Sequence, residues 1–431
     1  MPTAYLALTL AGALSVLLAY FPVKREPLTG PSFFIAWLPL EVSVQLIVGE
    51  ALLAVVFGVF GAFDAVAGWI GLGAAAVTSL GLAGLAAVGY RAQGVVGAAL
   101  AELDPPYRVA ELPVARAWAR WWRVFRAAPL RPHAIQAVHD IDYAGDGRRM
   151  HRLDVFRPRG VDLVGAPVMV YFHGGAWILG DKREQGKPML YELVSRGWVC
   201  VAVNYRLSPK ATWPDHVVDC KRAIAWVKEH IAAYGGDPSF VAVSGGSAGG
   251  HLSSLVALSA GDPTWQPGFE EADTSVQACT PFYGVYDMTG DPSTSGRYGP
   301  SLKHLLERRV MKVRIADERE LFEQASPTYR VHREAPPFFV FHGRNDTLVP
   351  VADARHFVAA LRRVSASPVA YAELPKAEHA FDVLASPRSR ATTAGVAAFL
   401  EALRAAEGWS GTDGPGGVDP TASGDVPARP H

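Results

Sequence analysis

Phe240-Val-Ala-Val-Ser-Gly-Gly-Ser-Ala-Gly-Gly250, running straight on into His251-Leu-Ser-Ser-Leu-Val-Ala-Leu258, is the stretch whose reading decides the fold. It reads as a short apolar strand, a sharp glycine-rich turn holding Ser247, and a helical run. A Gly-x-Ser-x-Gly turn of this kind needs glycine at 245 and 249, because the strand-to-helix backbone is strained and close-packed around an exposed serine hydroxyl. The competing readings are an ordinary βα turn and a phosphate cradle at the helix N-terminus. A P-loop would carry Gly-Lys-Ser/Thr, which is absent, and a dinucleotide fold would carry Gly-x-Gly-x-x-Gly, which Gly245-Gly-Ser-Ala-Gly249 does not match. Ser247 is therefore expected to be a nucleophile.

Upstream, Val168-Met-Val-Tyr-Phe-His-Gly-Gly-Ala-Trp177 is a second buried strand, ending in His-Gly-Gly. When a serine hydroxyl attacks a carbonyl, negative charge grows on oxygen, and backbone N–H groups already aimed at that point stabilise it. Gly174 and Gly175 offer two such amides, and Ala248, just after the serine, offers a third. Trp177 is expected either to line the acyl or alcohol pocket or to be part of the core.

A serine near neutral pH needs a base, and the base needs a carboxylate to fix its tautomer. In a fold of this type they follow in the order Ser, Asp/Glu, His. Of the 13 histidines, His356 lies mid-helix and His431 ends a polar tail, which leaves His379 in Leu374-Pro-Lys-Ala-Glu-His-Ala-Phe381. The acid is expected at Asp346, in the loop after the buried run Pro337-Phe-Phe-Val-Phe341. Asp353, Glu373, Glu378 and Asp382 are its rivals.

Working outward, apolar runs at 135–143, 152–156, 167–172, 199–204, 240–244, 278–283, 337–341 and 369–374 alternate with helical stretches such as 215–233, 351–364 and 396–406. The middle runs are apolar throughout, as strands covered on both faces must be. Short strands alternating with helices predict an α/β hydrolase fold over 135–407, a mostly parallel sheet flanked by helices.

The region before it is of another kind. Residues 1–23 carry no charged side chain, and 5–20 is close to the roughly 20 residues that cross a hydrocarbon core. The first basic residues, Lys24 and Arg25, follow the apolar run instead of preceding it, which argues against a cleaved signal peptide. A second uncharged block, 65–90, is rich in Gly and Ala, as tightly packed membrane helices are. A third span is expected around 42–60, where Glu41 and Glu50 each need a polar partner or a place at a helix end. Residues 1–92 thus read as a helical anchor of about three spans. The positive-inside tendency then sets the catalytic region on the cytoplasmic side of a multi-pass membrane protein. From 93 to 134 runs a linker in which Arg116, Arg120, Arg123 and Arg126 oppose Trp118, Trp121, Trp122 and Phe125, a basic amphipathic helix suited to headgroups or to capping the catalytic domain. Residues 408–431 are dense in Gly, Pro, Ser, Thr and Asp and are expected to be disordered.

Forty-one basic residues balance forty-one acidic ones, so no global field recruits nucleic acid. Three cysteines without Cys-x-x-Cys spacing give neither a disulfide framework nor a zinc site, and no cofactor is expected.

With these motifs the chain resembles the hormone-sensitive-lipase-like group of bacterial esterases and lipases. The resemblance rests on His173-Gly-Gly-Ala-Trp177, Asn204-Tyr-Arg-Leu-Ser-Pro209, Gly235-Gly-Asp-Pro238, Gly245-Gly-Ser-Ala-Gly-Gly-His251, His342-Gly-Arg-Asn-Asp346 and Glu378-His379, and covers about 135–406. The apolar N-terminal region looks like that of actinobacterial membrane-associated members. The resemblance implies a serine esterase or lipase acting on small-molecule or lipid esters. It departs where Ala176-Trp177 replaces a third glycine and Ser208-Pro-Lys210 replaces Ala-Pro-Glu. Formamidases and prenylcysteine methylesterases share such variants, so an amidase or methylesterase with the same triad stands beside the esterase, and a non-catalytic membrane scaffold stands as a third reading. Tyr205 and Arg206 are expected to organise structure, and the irregular insertion 288–335 to contribute to a cap.

Overall fold

The computed structural model describes residues 1–109, 128–291, 300–406 and 408. The expected basic helix at 114–126 and all but the first residue of the expected tail lie outside them.

Eight strands form one sheet: β1 (Ile135–Asp142), β2 (Arg152–Pro158), β3 (Ala166–Phe172), β4 (Val199–Val203), β5 (Gly236–Gly246), β6 (Ala278–Phe282), β7 (Phe338–Gly343) and β8 (Val369–Leu374). Their spatial order is β1-β2-β4-β3-β5-β6-β7-β8; β2 runs antiparallel to both its neighbours, and the pairs from β4 to β8 are parallel. Every expected strand is present.

The period-2 alternation of a strand sends successive side chains to opposite faces, and here both faces are covered. Val168, Val170 and Phe172 of β3 join Val199, Val201 and Val203 of β4 in one core. That core is closed by helices α7 (Asp215–His230), α8 (Ala248–Ala257) and α11 (Val351–Val364). Met169, Tyr171, Cys200 and Ala202 join the other, under α5 (Ala92–Ala101), α6 (Lys187–Ser195) and α12 (Pro387–Ala406). Two short helices, α9 (Pro300–Leu305) and α10 (Arg319–Gln324), lie in the insertion before β7. The three cysteines are buried and free.

One boundary differs from the expectation. Residues from 93 onward are expected as linker, yet Val96, Ala99, Leu100 and Leu103, with Ala92 just before them, are buried in the α12-side core. Their small apolar side chains let α5 seat directly against the catalytic domain, so the last apolar helix continues into the fold.

Before α5 come α1 (Pro2–Tyr20), α2 (Thr29–Glu41), α3 (Ser43–Val59) and α4 (Val66–Tyr90). Glycines of α4 admit α1 closely: Gly71 faces Tyr5, Gly81 faces Val16 and Gly84 faces Tyr20, so the two helices run parallel. Phe57 near the end of α3 meets Tyr5 near the start of α1, ring centroids 5.5 Å apart, so α3 runs the opposite way. Two helices, α1 and the stretch Val66–Ala101, are long and apolar enough to cross a membrane. The pair α2 and α3 meets that test only together, bent by 88° between Glu41 and Ser43. α3 occupies the segment expected to span around 42–60 but is too short to meet that test alone, and α2 turns aside from it.

Both glutamates find polar partners. Glu50 accepts from the Ser79 hydroxyl of α4 at 2.5 Å. Glu41, the last residue of α2, pairs with Arg388 of α12 at 3.1 Å, both side chains fully buried.

Candidate active site

The sheet carries its functional loops at the C-terminal ends of parallel strands, where α/β folds collect them. Phe172 pairs with Gly245 at the ends of β3 and β5, which sets the His-Gly-Gly loop beside the serine turn. Gly343 pairs with Leu374 at the ends of β7 and β8, which sets the loop of Asp346 beside that of His379.

Ser247 stands at the N-cap of α8 with φ 56° and ψ −119°, a strained position for a residue with a side chain. The crowding that holds it there is visible at Gly249: a Cβ would fall 2.0 Å from the Phe172 carbonyl oxygen. The strand of the oxyanion loop therefore lies directly on the first turn of α8, and only glycine fits between them. Ser247 is partly exposed, while its neighbours on both sides are buried.

His379 Nδ1 lies 2.7 Å from Asp346 Oδ2. The other carboxylate oxygen, Oδ1, accepts from the amides of Leu348 at 2.9 Å and Val349 at 2.8 Å. His342 approaches Oδ2 at 3.3 Å. Burial alone would raise the Asp346 carboxyl, but the two neighbouring histidines and their hydrogen bonds overcome it and hold the group well below the usual carboxylate range. One ring connects this pair to the serine turn. Tyr283 lies 4.5 Å from His379, centroid to centroid, and its hydroxyl stands 2.7 Å from where a Cβ on Gly246 would be.

The four rival acids are occupied elsewhere. Asp353 accepts from the amide of Tyr286 at 2.7 Å. Glu373 pairs at the surface with Arg344 and Arg355. Asp382 accepts from the Tyr283 hydroxyl, and burial pushes its carboxyl up to about 6. Glu378 accepts from the Thr347 amide and hydroxyl and from the His379 amide, not from the imidazole. Its burial, aided by the Asp346 charge, raises it to about 7.

At the oxyanion loop the structure modifies two expectations. The Gly174 amide already donates to Gln185 Oε1 at 2.8 Å, so Gly174 serves as the close-packing residue, its Cβ position lying 3.2 Å from Ser247 Cβ. Gly175, at φ 122°, and Ala248 are the remaining expected amides. Among the described residues Trp177 is part of the core. Ala176 and Trp177 both take positive φ, which turns the indole inward, where it is 1% exposed. Its N–H donates to His251 Nδ1 at 3.2 Å. The His251 Nε2 in turn donates to the Ala325 carbonyl at 2.7 Å, tying the insertion before β7 to the serine helix. Tyr205 and Arg206 are structural as expected: the Tyr205 hydroxyl donates to the His173 carbonyl at 2.8 Å, and Arg206 pairs with Asp219.

Sequence reasoning missed the contribution of the N-terminal helices. Phe33 of α2 stands edge-on to His379, centroids 6.2 Å apart. Trp37 Nε1 donates to the Ala380 carbonyl at 3.0 Å, and Lys376 Nζ donates to the Tyr20 carbonyl at 3.2 Å. No sequence signal could have matched these partners, which are more than 340 residues apart.

The family model described as BD-FAE matches residues 153–361. The chain is 48% identical to the probable carboxylic ester hydrolase LipM of Mycobacterium tuberculosis over 347 residues, 79% of this chain and 80% of LipM. The chain belongs to that carboxylic ester hydrolase family. This family member is also 51% identical to the esterase LipQ of the same organism, over 63% of each chain. Among solved structures, esterase B from Lactobacillus rhamnosis superposes with a TM-score of 0.55 at 19% identity, covering 75% of this chain and 98% of that one, which shows a shared fold.

Proposed function

We propose that the chain hydrolyses carboxylic esters of apolar, lipid-derived acyl groups at a membrane, with Ser247 as nucleophile, His379 as base and Asp346 as its orienting acid. The observation that carries this reading is the strained serine at the head of α8, joined across the Tyr283 ring to a histidine whose Nδ1 is held by a buried carboxylate. With Nδ1–H donated to Asp346, Nε2 keeps its lone pair for the serine proton. The Ser247 hydroxyl oxygen bonds to the carbonyl carbon while its proton passes to Nε2. The carbonyl oxygen becomes an anion facing the Gly175 and Ala248 amides. Collapse breaks the ester C–O bond, and the leaving alcohol takes the proton from Nε2. Water then gives its proton to Nε2, its oxygen bonds to the acyl carbon, the acid leaves, and Ser247 recovers the proton.

Three membrane crossings by α1, α3 and α4, with the catalytic domain at their common end, are consistent with the alternating helix directions and with Lys24, Arg25 and Arg91 lying at that end. On this reading the catalytic domain is cytoplasmic. An acyl-chain-length series on membrane preparations, comparing wild type with Ser247→Ala, tests the chemistry: turnover and fluorophosphonate labelling should both vanish in the variant. Preferential turnover of aryl or formyl amides would replace the esterase reading with an amidase. Protease cleavage of the C-terminal tail only from outside sealed, right-side-out vesicles would overturn the orientation.

A further inference from the structure

The residues of helix α2 sort into two faces. Ser32, Phe33, Ala36, Leu40 and Glu41 are buried and Trp37 partly so, whereas Phe34, Ile35 and Leu38 are exposed, Phe34 to 74%. The inward face meets the catalytic domain along the loop that carries the base. Phe33 touches the His379 ring, Trp37 donates to Ala380, and the Leu40 carbonyl accepts from Arg388 Nη1 at 2.7 Å beside the Glu41 ion pair. The outward face is apolar as well, and no charged residue lies between Pro27 and Leu40.

A helix apolar on both faces is ordinarily buried all round. Neighbouring helices also expose apolar side chains: Leu14 and Leu17 of α1, and Leu52, Val55 and Val56 of α3. The 88° bend after Glu41 turns α2 across the direction of α3. A helix lying across the spans, with one face on the protein and the other apolar, belongs at the boundary of the hydrocarbon layer. The catalytic histidine is directly beneath its inner face.

We propose that α2 is the specificity element of this enzyme: Phe33 forms the wall of the site next to His379, and the ester enters along α2 from the lipid layer, its acyl chain never crossing water. This rests on the esterase reading above and adds to it the route and the residue that selects long acyl chains. A chain of a dozen carbons that passes from the bilayer to an apolar protein surface incurs no hydration cost, whereas each CH₂ led through water adds to the barrier. Long-chain esters are therefore favoured by this route, and Phe33 is the last apolar contact before the reacting carbonyl.

The test uses the full chain reconstituted in phosphatidylcholine vesicles, with all rates divided by the number of sites labelled by a fluorophosphonate. Two substrates are compared: a dodecanoyl ester embedded in the vesicles and a butanoyl ester supplied from water. Phe33→Ala should lower kcat/KM for the dodecanoyl ester at least tenfold more than for the butanoyl ester. Phe34→Gln, on the outer face and touching no catalytic group, should slow the embedded substrate several-fold and leave the water-borne one within twofold. Equal effects on both substrates, or no effect on either, would overturn the proposal. If Phe33→Ala yields no labelled sites, Phe33→Leu, which keeps the volume but removes the ring, should shift the ratio in the same direction, and an unshifted ratio counts against the proposal equally. Failure of wild type to label or to cleave the butanoyl ester would instead strike the esterase reading itself.

Discussion

Replacing Asp346 by Asn should cost more than its small change in shape suggests, because the structure fixes which way the amide would point. Asp346 Oδ1 accepts from two backbone amides, Leu348 N and Val349 N, while Oδ2 faces His379 Nδ1 at 2.7 Å. An asparagine turned with its NH₂ toward those two amides would set donor against donor twice. It must therefore keep its oxygen there and present Nδ2 to His379. The imidazole can then only accept at Nδ1, which moves its proton to Nε2 and removes the lone pair that should take the serine proton. A tautomer inversion of this kind is worth about 10⁴-fold in kcat, or about 5.4 kcal/mol at 1.36 kcal/mol per decade. Asp346→Ala removes the orienting carboxylate without imposing the wrong tautomer, so the asparagine variant should be no better than the alanine one. The assay is hydrolysis of a short p-nitrophenyl ester in detergent micelles, with thermal midpoints to establish that both variants fold. An asparagine variant within tenfold of wild type, or well above Asp346→Ala, would refute the reasoning.

Other consequences are equally direct. Gly249→Ala places a Cβ 2.0 Å from the Phe172 carbonyl oxygen, so the oxyanion strand must move; overpacking of about 1–3 kcal/mol should lower the melting midpoint, and kcat should fall at least 100-fold as the loop leaves Ser247. Trp177→Phe removes the donor to His251 Nδ1 and leaves a buried acceptor unmet, which should cost about 1–3 kcal/mol of stability while the acyl-chain profile stays unchanged; a changed profile would return Trp177 to the substrate pocket. Glu378, raised to about 7 from an ordinary 4.5, ionises in the unfolded chain before it does in the folded one. Its contribution therefore turns unfavourable as pH climbs from about 4.5 and levels off above about 7, at a cost on the order of 3 kcal/mol at most. Glu378→Gln should show a thermal midpoint that rises relative to wild type between about pH 5 and pH 8, and a constant difference across that range would contradict the assignment.

What could be read from the sequence is what local chemistry writes into it. The strands were legible because burial on both faces leaves runs such as Val199-Cys-Val-Ala-Val203 with no polar position at all. The serine turn was legible because one close approach, Phe172 against α8, permits only glycine at 249. Asp346 and His379 were legible by chain order and by elimination, and the two do meet at 2.7 Å. Which of its two readings Trp177 takes, pocket or core, was not legible, because its direction depends on two consecutive positive φ values that no residue type announces. Gly174 was misread as an oxyanion donor because the group that takes its amide, Gln185, lies in a loop with no motif of its own. Glu41 shows the limit most sharply. Within its own segment it is an acid in grease, and the only inference available is that something must compensate it; the compensating Arg388 opens a helix 347 residues later, and neither periodicity nor composition links the two. Yet the pairing changes the meaning of the whole N-terminal region. An anchor that merely tethers would not need an indole bond and a lysine bond to the histidine loop and a buried ion pair to the start of α12 just beyond it, since a tether gains nothing from orienting the base. Helices that hold residues 376, 379, 380 and 388 at once are a structural part of the active site, and truncating them should disable catalysis rather than merely release a soluble enzyme.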